Sequence, residues 1–128
     1  MKIRILENTI RLRLTKPEVE ELRNDGQVIQ QTEFPGDSEV FRYSVHLSDT
    51  ASEPIGRFTQ GHIKIFLPES DAIDWIGSPE PGMENQEYTD RGDGLKILIE
   101  KDFQCLHQRK NEDESDAFPN PLAENSAQ

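Results

Sequence analysis

A chain of 128 residues with 25 acids against 14 bases, a formal net charge of −11 and only 33% hydrophobic residues has the length of one domain and a lean supply of core. That charge repels phosphate backbones, which disfavours nucleic acid as a partner. No apolar run reaches bilayer length, so no membrane role is expected, and the single cysteine, Cys105, leaves no intrachain disulfide.

The first residues, MKIRILENTIRLRL, alternate charged and apolar side chains and lack the continuous apolar core of a signal peptide, so the cytoplasm is the expected location. Ile3 and Ile5, then Ile10, Leu12 and Leu14, recur with the period of two that half-buried strands require. Glu7-Asn8 between them predicts a hairpin turn, with Asn8 suited to positive φ. A helix should come next, because Thr15 is a good N-cap, Glu18 completes a capping box and Pro17 fits the first turn. Val19 and Leu22 give it an apolar stripe, and Asp25-Gly26 ends it. Residues 27–34 form a weaker strand candidate around Val28 and Ile29. Phe41, Tyr43, Val45 and Leu47 mark a clear one.

The second half of the chain repeats this plan. IRILENTIRLRL at residues 3–14 aligns with GRFTQGHIKIFL at residues 56–67, strand for strand and turn for turn. Asp71, Ala72, Asp74 and Trp75 then match Glu18, Val19, Glu21 and Leu22 of the first helix, and one residue of slippage later Leu95, Ile97 and Ile99 match Phe41, Tyr43 and Val45. Residues 77–94, with Pro79, Pro81, Gly82, Gly92 and Gly94, read as a long loop. The expected fold is therefore α+β: a mostly antiparallel sheet or partly curled barrel, two short helices and an internal ββαβ pseudo-repeat. Residues 1–110 make one domain, with pseudo-repeats at about 2–48 and 55–101. Residues 111–128 make an acidic tail, partly docked and then disordered. The core should hold the helix stripes with Ile3, Ile5, Ile10, Leu12, Leu14, Tyr43, Val45, Ile63, Ile65, Leu67, Ile97 and Ile99.

Both ends resemble a family of short, acidic, uncharacterised bacterial proteins, a domain of unknown function. The resemblance rests on MKIRILENTIRLRLTKPEV at residues 1–19 and GLKILIEKDFQCLHQRKNEDESDAFPNP at residues 94–121. It implies no activity. It does imply that the C-terminal segment belongs to the domain.

Chemistry-bearing motifs are few. Cys105 and His107 sit near Asp102 and the run Glu112-Asp113-Glu114, but two such ligands do not fix the three or four that zinc needs, so no metal is expected. His46 and His62 lie in predicted strands and can meet only through the fold. Glycine-rich phosphate loops and zinc-protease helices are missing, and no cofactor is expected. The basic strand faces say more. Lys2, Arg4, Arg11 and Arg13 share one side of the first hairpin, with Arg57, Lys64 and Lys96 in similar places in the second half. Arg4, Arg11, Arg13, Arg57 and Lys64 are thus candidate anion-binding residues. If the sheet curled, these bases would line it in a way similar to the triphosphate-tunnel enzymes. The first strand nevertheless lacks the Glu-x-Glu-x-Lys metal motif of that family, reading Lys2-Ile3-Arg4-Ile5-Leu6.

Residues 1–16 carry a net +4 and residues 100–128 a net −4. This predicts that Glu112, Asp113, Glu114 and Asp116 fold against the basic hairpin, in the same chain or a second copy, with Phe118 anchored in an apolar notch. The leading functional expectation is a non-enzymatic binding or assembly module with a protein partner or itself, as in a homodimer. The alternative is an anion- or phosphate-binding protein, extending to an enzyme on phosphorylated small molecules.

Overall fold

The structure, a computed structural model, describes residues 1–36, 38–86, 94–103 and 118–119. Its ten elements are, in chain order, β1 (Lys2–Leu6), β2 (Thr9–Leu14), α1 (Lys16–Asp25), β3 (Gln27–Phe34), β4 (Glu39–Ser48), β5 (Ile55–Thr59), β6 (His62–Pro68), α2 (Glu69–Ile76), β7 (Gly82–Glu84) and β8 (Lys96–Lys101). The fold is α+β. Both hairpin turns adopt left-handed backbone, but the first places Glu7 there (φ 50°) in place of the expected Asn8, and the second uses Gln60 (φ 50°) and Gly61 (φ 72°). The residues 77–94 expected as loop include the short strand β7.

The strands form two mixed four-stranded sheets, ordered β1-β2-β8-β7 and β3-β4-β6-β5. No strand pairing joins them among the described residues, so the partly curled barrel is not formed. Each sheet combines a hairpin from one half of the chain with the last two strands of the other. The joins are parallel: Ile10 pairs Ile97 and Leu12 pairs Ile99 across β2 and β8, while Ile63 pairs Tyr43 and Ile65 pairs Val45 across β6 and β4. The two registers correspond. Adding 53 to β2 numbers and 54 to β4 numbers makes the pair His62–Arg42 the counterpart of Thr9–Lys96, and each later pair matches in the same way through Leu14–Lys101 and Leu67–Leu47. Lys96 consequently stands beside the first hairpin, not in the sheet of Arg57 and Lys64.

Alternation sends one row of each strand inward. Ile10, Leu12, Leu14, Val28, Val45, Ile63, Ile65, Leu67, Ile97 and Ile99 are buried together with Val19, Leu22, Ala72 and Trp75 from the helices. Each fully buried leucine or isoleucine contributes about 1.5–3 kcal/mol. Ile3 and Tyr43 are partly buried, and Ile5, expected in the core, is 54% exposed because it lies near the open end of the edge strand β1. At Gly82 a Cβ would lie 2.5 Å from the Ile99 carbonyl oxygen, so only glycine lets β7 approach β8. Beyond β7 the buried Asn85 imitates a strand: its Nδ2 donates to the Leu95 carbonyl at 2.7 Å and its Oδ1 accepts from the Ile97 N–H at 3.0 Å.

The first helix begins as its capping box predicts. The Glu18 carboxylate accepts from the Thr15 backbone N–H at 2.8 Å and from the Thr15 hydroxyl at 2.9 Å. Its other oxygen pairs with the buried Met1 α-amine and accepts from Gln30 Nε2 at 3.4 Å. Glu18 therefore ties the chain start and β3 to the helix. Burial pushes its carboxyl up, but the hydrogen bonds from the α-amine and Thr15 outweigh it and hold the group below its ordinary 4.5. A carboxyl depressed on folding stabilises the protein above its unfolded value, and that contribution disappears as pH falls through the folded value. Glu18→Gln should lower unfolding free energy at neutral pH by about 1.5–3 kcal/mol. In urea titrations the variant should also lose less stability than the parent as pH falls below 4.5.

Candidate functional site

With the apolar rows turned inward, the basic residues face outward from both sheets. A tunnel lined by them is thereby excluded, because the space between the sheets holds isoleucine, leucine and valine. The five predicted anion-binding residues divide. Arg4, Arg11 and Arg13 occupy the outer face of β1-β2-β8-β7, where Arg4 lies opposite Arg11 and Lys2 opposite Arg13. Arg57 and Lys64 lie opposite each other on the outer face of the second sheet.

The first face pairs two of its bases with acids of its own. Glu100 on β8 takes Arg11 in a bidentate pair, through Nε and through Nη2 at 3.1 Å, and Asp102 takes Lys2 at 3.3 Å. A shallow cavity of about 190 Å³ remains between Lys2, Arg4, Arg11 and Arg13. A neighbouring one of about 550 Å³, lined by Arg11, Lys96, Glu84 and Glu100, mixes both signs.

The second face differs at the decisive positions. By the correspondence of the two registers, Arg4 and Arg11 become Arg57 and Lys64, Lys96 becomes Arg42, and the neutralising Glu100 becomes His46. Reading across the sheet, one row is Arg57, Lys64, Ser44 and Ile29, the next is Thr59, His62, Arg42 and Gln31, and the next is Ile55, Phe66, His46 and Gln27. These three rows contain no carboxylate. Among the described residues Arg57 and Lys64 enter no ion pair, and the Arg42 Nε donates to Gln31 Oε1 at 3.3 Å. Like charges directly opposite one another weaken a sheet, so the Arg57–Lys64 pair costs stability.

At the centre lies Ser44, fully buried although it points to the outer side. Its Oγ is 2.7 Å from His46 Nε2 and 2.6 Å from His62 Nε2. A hydroxyl has one proton, so it donates to one imidazole and accepts an N–H from the other. Neutral histidines of unlike tautomer satisfy all three groups. His46 also stacks on Phe66, with ring centroids 5.2 Å apart. Both imidazoles are pushed below their ordinary 6.5: His46 by burial, then by His62 and Lys64; His62 by burial, then by Lys64 and Arg42. Sequence reading marked both histidines but missed Ser44, which looks like any polar residue on a solvent-facing strand position.

At the far end of the sheets an apolar groove of about 430 Å³ is lined by Ile5, Ile10, Phe41, Phe58, Ile63 and Leu95, with Arg57 at its rim. Its lining comes in corresponding pairs, Ile5 with Phe58, Ile10 with Ile63 and Phe41 with Leu95, and Ile5 and Phe58 are 54% and 66% exposed. Of the tail, Glu112, Asp113, Glu114 and Asp116 lie outside the described residues, as do Cys105 and His107. Phe118 is 97% exposed. Among the described residues no group of three histidine, cysteine or carboxylate side chains is placed to hold a metal ion, and no helix is long and apolar enough to cross a membrane.

The model of a family of unknown function, DUF7009, matches residues 1–122, and the chain belongs to that family. Neither the curated proteins nor the solved structures give a match. The Ser44 cluster can be checked directly. Imidazole nitrogen shifts at neutral pH should show His46 and His62 as unlike neutral tautomers. Ser44→Ala should remove that distinction and cost about 1–3 kcal/mol in chemical denaturation. Because folding depresses both imidazoles, the unfolded chain binds their protons more readily, and parent stability should fall as pH drops below 6.5.

Proposed function

We propose that this member of a family without an assigned activity is a non-enzymatic binding module that takes an anionic partner on the outer face of β5-β6-β4. The observation that carries this reading is the carboxylate-free set of Arg57, Lys64 and Arg42 in a chain of net charge −11, where the corresponding face of the other sheet holds its own neutralising acids. Arginine forks and a lysine on adjacent strands, about 4.8 Å apart, suit an oxyanion bound from several sides. Ser44 does not act as a nucleophile here, since it is buried and its hydroxyl is shared between two imidazoles. We read the two halves as copies of one unit, supported by their corresponding registers, with the second hairpin's sheet specialised for binding. Cytoplasmic residence belongs to the same reading, supported by the low cysteine content, one in 128 residues.

The test is calorimetric titration with inorganic sulfate and with tripolyphosphate. Arg57→Gln and Lys64→Gln should each weaken binding about tenfold, the equivalent of one charge-assisted hydrogen bond of about 1.4 kcal/mol. Arg13→Gln on the other sheet should leave it unchanged. Equal losses from Arg13→Gln, or no binding of either anion, would overturn the reading.

A second reading is favoured by the groove. An isologous dimer buries the same patch of both subunits, and the rim of this groove offers the exposed Ile5 and Phe58 to such a contact. The expected occupant is a second copy, with Ile5 and Phe58 of each chain covered by the other. Sedimentation should then show a dimer that Phe58→Asp converts to a monomer. A parent that stays monomeric at high micromolar concentration rejects this reading.

A further inference from the structure

We infer that the anion bound on the β5-β6-β4 face is a doubly charged oxyanion, of the class of phosphate monoesters and inorganic phosphate or sulfate, and that its binding draws a proton onto the His46–Ser44–His62 cluster. This inference rests on the anion-binding reading of the same face.

With both imidazoles neutral, the Ser44 hydroxyl gives its proton to one Nε2 and accepts from the other, and the hydrogen bonds of the cluster are satisfied. Adding a proton to the accepting imidazole makes both Nε2 atoms donors. Ser44 Oγ can accept from both, but its own proton then loses its acceptor inside a fully buried residue.

Electrostatics points the same way. The charged groups in the three rows around the pair are cations, Arg42 on β4, Lys64 on β6 and Arg57 on β5, and the carboxylate of Glu33 on β3 lies one pleat further along the same face, where it accepts from Gln31 Nε2 at 3.3 Å. The strand residues opposite from β3 are Gln27, Ile29 and Gln31, which bring no charge, and Ile55 and Thr59 bring none from β5. Without an anion, then, protonation is opposed by burial, by Lys64 and Arg42 and by a stranded hydroxyl. The two histidines are held neutral, as their depressed titration reflects.

A bound dianion reverses this balance. One negative charge offsets the Arg57–Lys64 repulsion, and the second favours an imidazolium beneath it. The proton comes from solvent and stays on the imidazole, so the complex gains one positive charge with no bond made or broken in the ligand. A singly charged anion at the same place acts with about half that field. The proton linkage is therefore strongest for the doubly charged class.

His46 is the position to watch, because it replaces the glutamate that neutralises the corresponding arginine in the other sheet. A fixed carboxylate there would block an anion. An imidazole leaves the face open and adds charge only when a ligand arrives.

Inorganic sulfate is the suitable probe, since it remains fully ionised around neutral pH and contributes no proton of its own. Titration of the full chain in buffers of different ionisation enthalpy should show net proton uptake near pH 6.5. Affinity should rise as pH falls from about 8 to about 6, by up to about tenfold per unit for one linked proton. Nitrate, of single charge, should bind with a weaker pH dependence than sulfate. The variant pair His46→Asn and His62→Asn should flatten the sulfate profile while retaining binding at about pH 8, whereas Arg57→Gln should lower affinity at every pH. Imidazole shifts of the parent, followed during the sulfate titration, give the same answer without any variant. Sulfate affinity that depends on Arg57 but not on pH, with no proton uptake, would overturn the proton-linked inference and leave the anion site standing. Absence of sulfate binding across the whole range would overturn both.

Discussion

The two parallel seams, β2 against β8 and β4 against β6, govern everything else in this molecule. Neither hairpin has enough apolar surface to stand alone, since two strands without a covered face are marginal in water. Each is completed by the closing strands of the other half, and in both seams the paired residues pointing inward are apolar: Ile10 with Ile97, Leu12 with Ile99, Ile63 with Tyr43 and Ile65 with Val45. Strand side chains alternate strictly, so fixing the inner rows fixes the outer ones, and a slip of one residue would turn the core to solvent. The surface chemistry is therefore a by-product of core registration. Ser44 meets Lys64 and Arg42 meets His62 because Val45 must meet Ile65.

The same geometry carries two different surfaces. On one sheet the strand crossing from the other half brings Glu100, and just beyond it Asp102, and the hairpin bases Arg11 and Lys2 are bound internally. On the other sheet the crossing strand brings Ser44 and His46, and the bases are left to the outside. A backbone arrangement used twice thus separates two tasks. The first sheet is held by ion pairs that clamp its strands, and the second keeps a polar cluster whose proton content can change. Partly buried bidentate pairs contribute more than exposed ones, which suits the clamp to the sheet that also receives the chain start.

Much of this was legible in the sequence, and the reasons for the gaps are specific. The alternation of Ile10, Leu12 and Leu14 and of Ile63, Ile65 and Leu67 reported both hairpins and their inner faces, and Thr15 with Glu18 reported the first helix start. Alternation states which face a residue takes but not which strand lies beside it. The exchange of closing strands, and with it the split of Arg4, Arg11 and Arg13 from Arg57 and Lys64, was beyond its reach. The strand β7 escaped because three residues carry no period, and its Gly82, read as a loop signal, is needed for close backbone approach. Ile5 carried the right pattern and still stands 54% exposed, since an edge strand's end has no neighbour to cover it. Ser44 lay hidden for a related reason: its partners are two and eighteen positions away, and only the parallel seam brings the distant one near.

The six residues 49–54 that connect β4 to β5 cross between the two exchanged halves. Their start is a local turn in which Ser48 Oγ accepts from the backbone N–H groups of Thr50 and Ala51 at 3.2 and 3.0 Å. Cutting the chain there would sever no strand pairing, because each sheet already draws strands from both sides of the cut. The protein is, in effect, a pair of interlocked fragments supplied on one string. That string sets their local concentration and the one-to-one ratio of hairpin to closing strands. Two molecules could trade fragments across this connection and reproduce every seam, so a shortened or stiffened linker would select the entwined pair over the single chain.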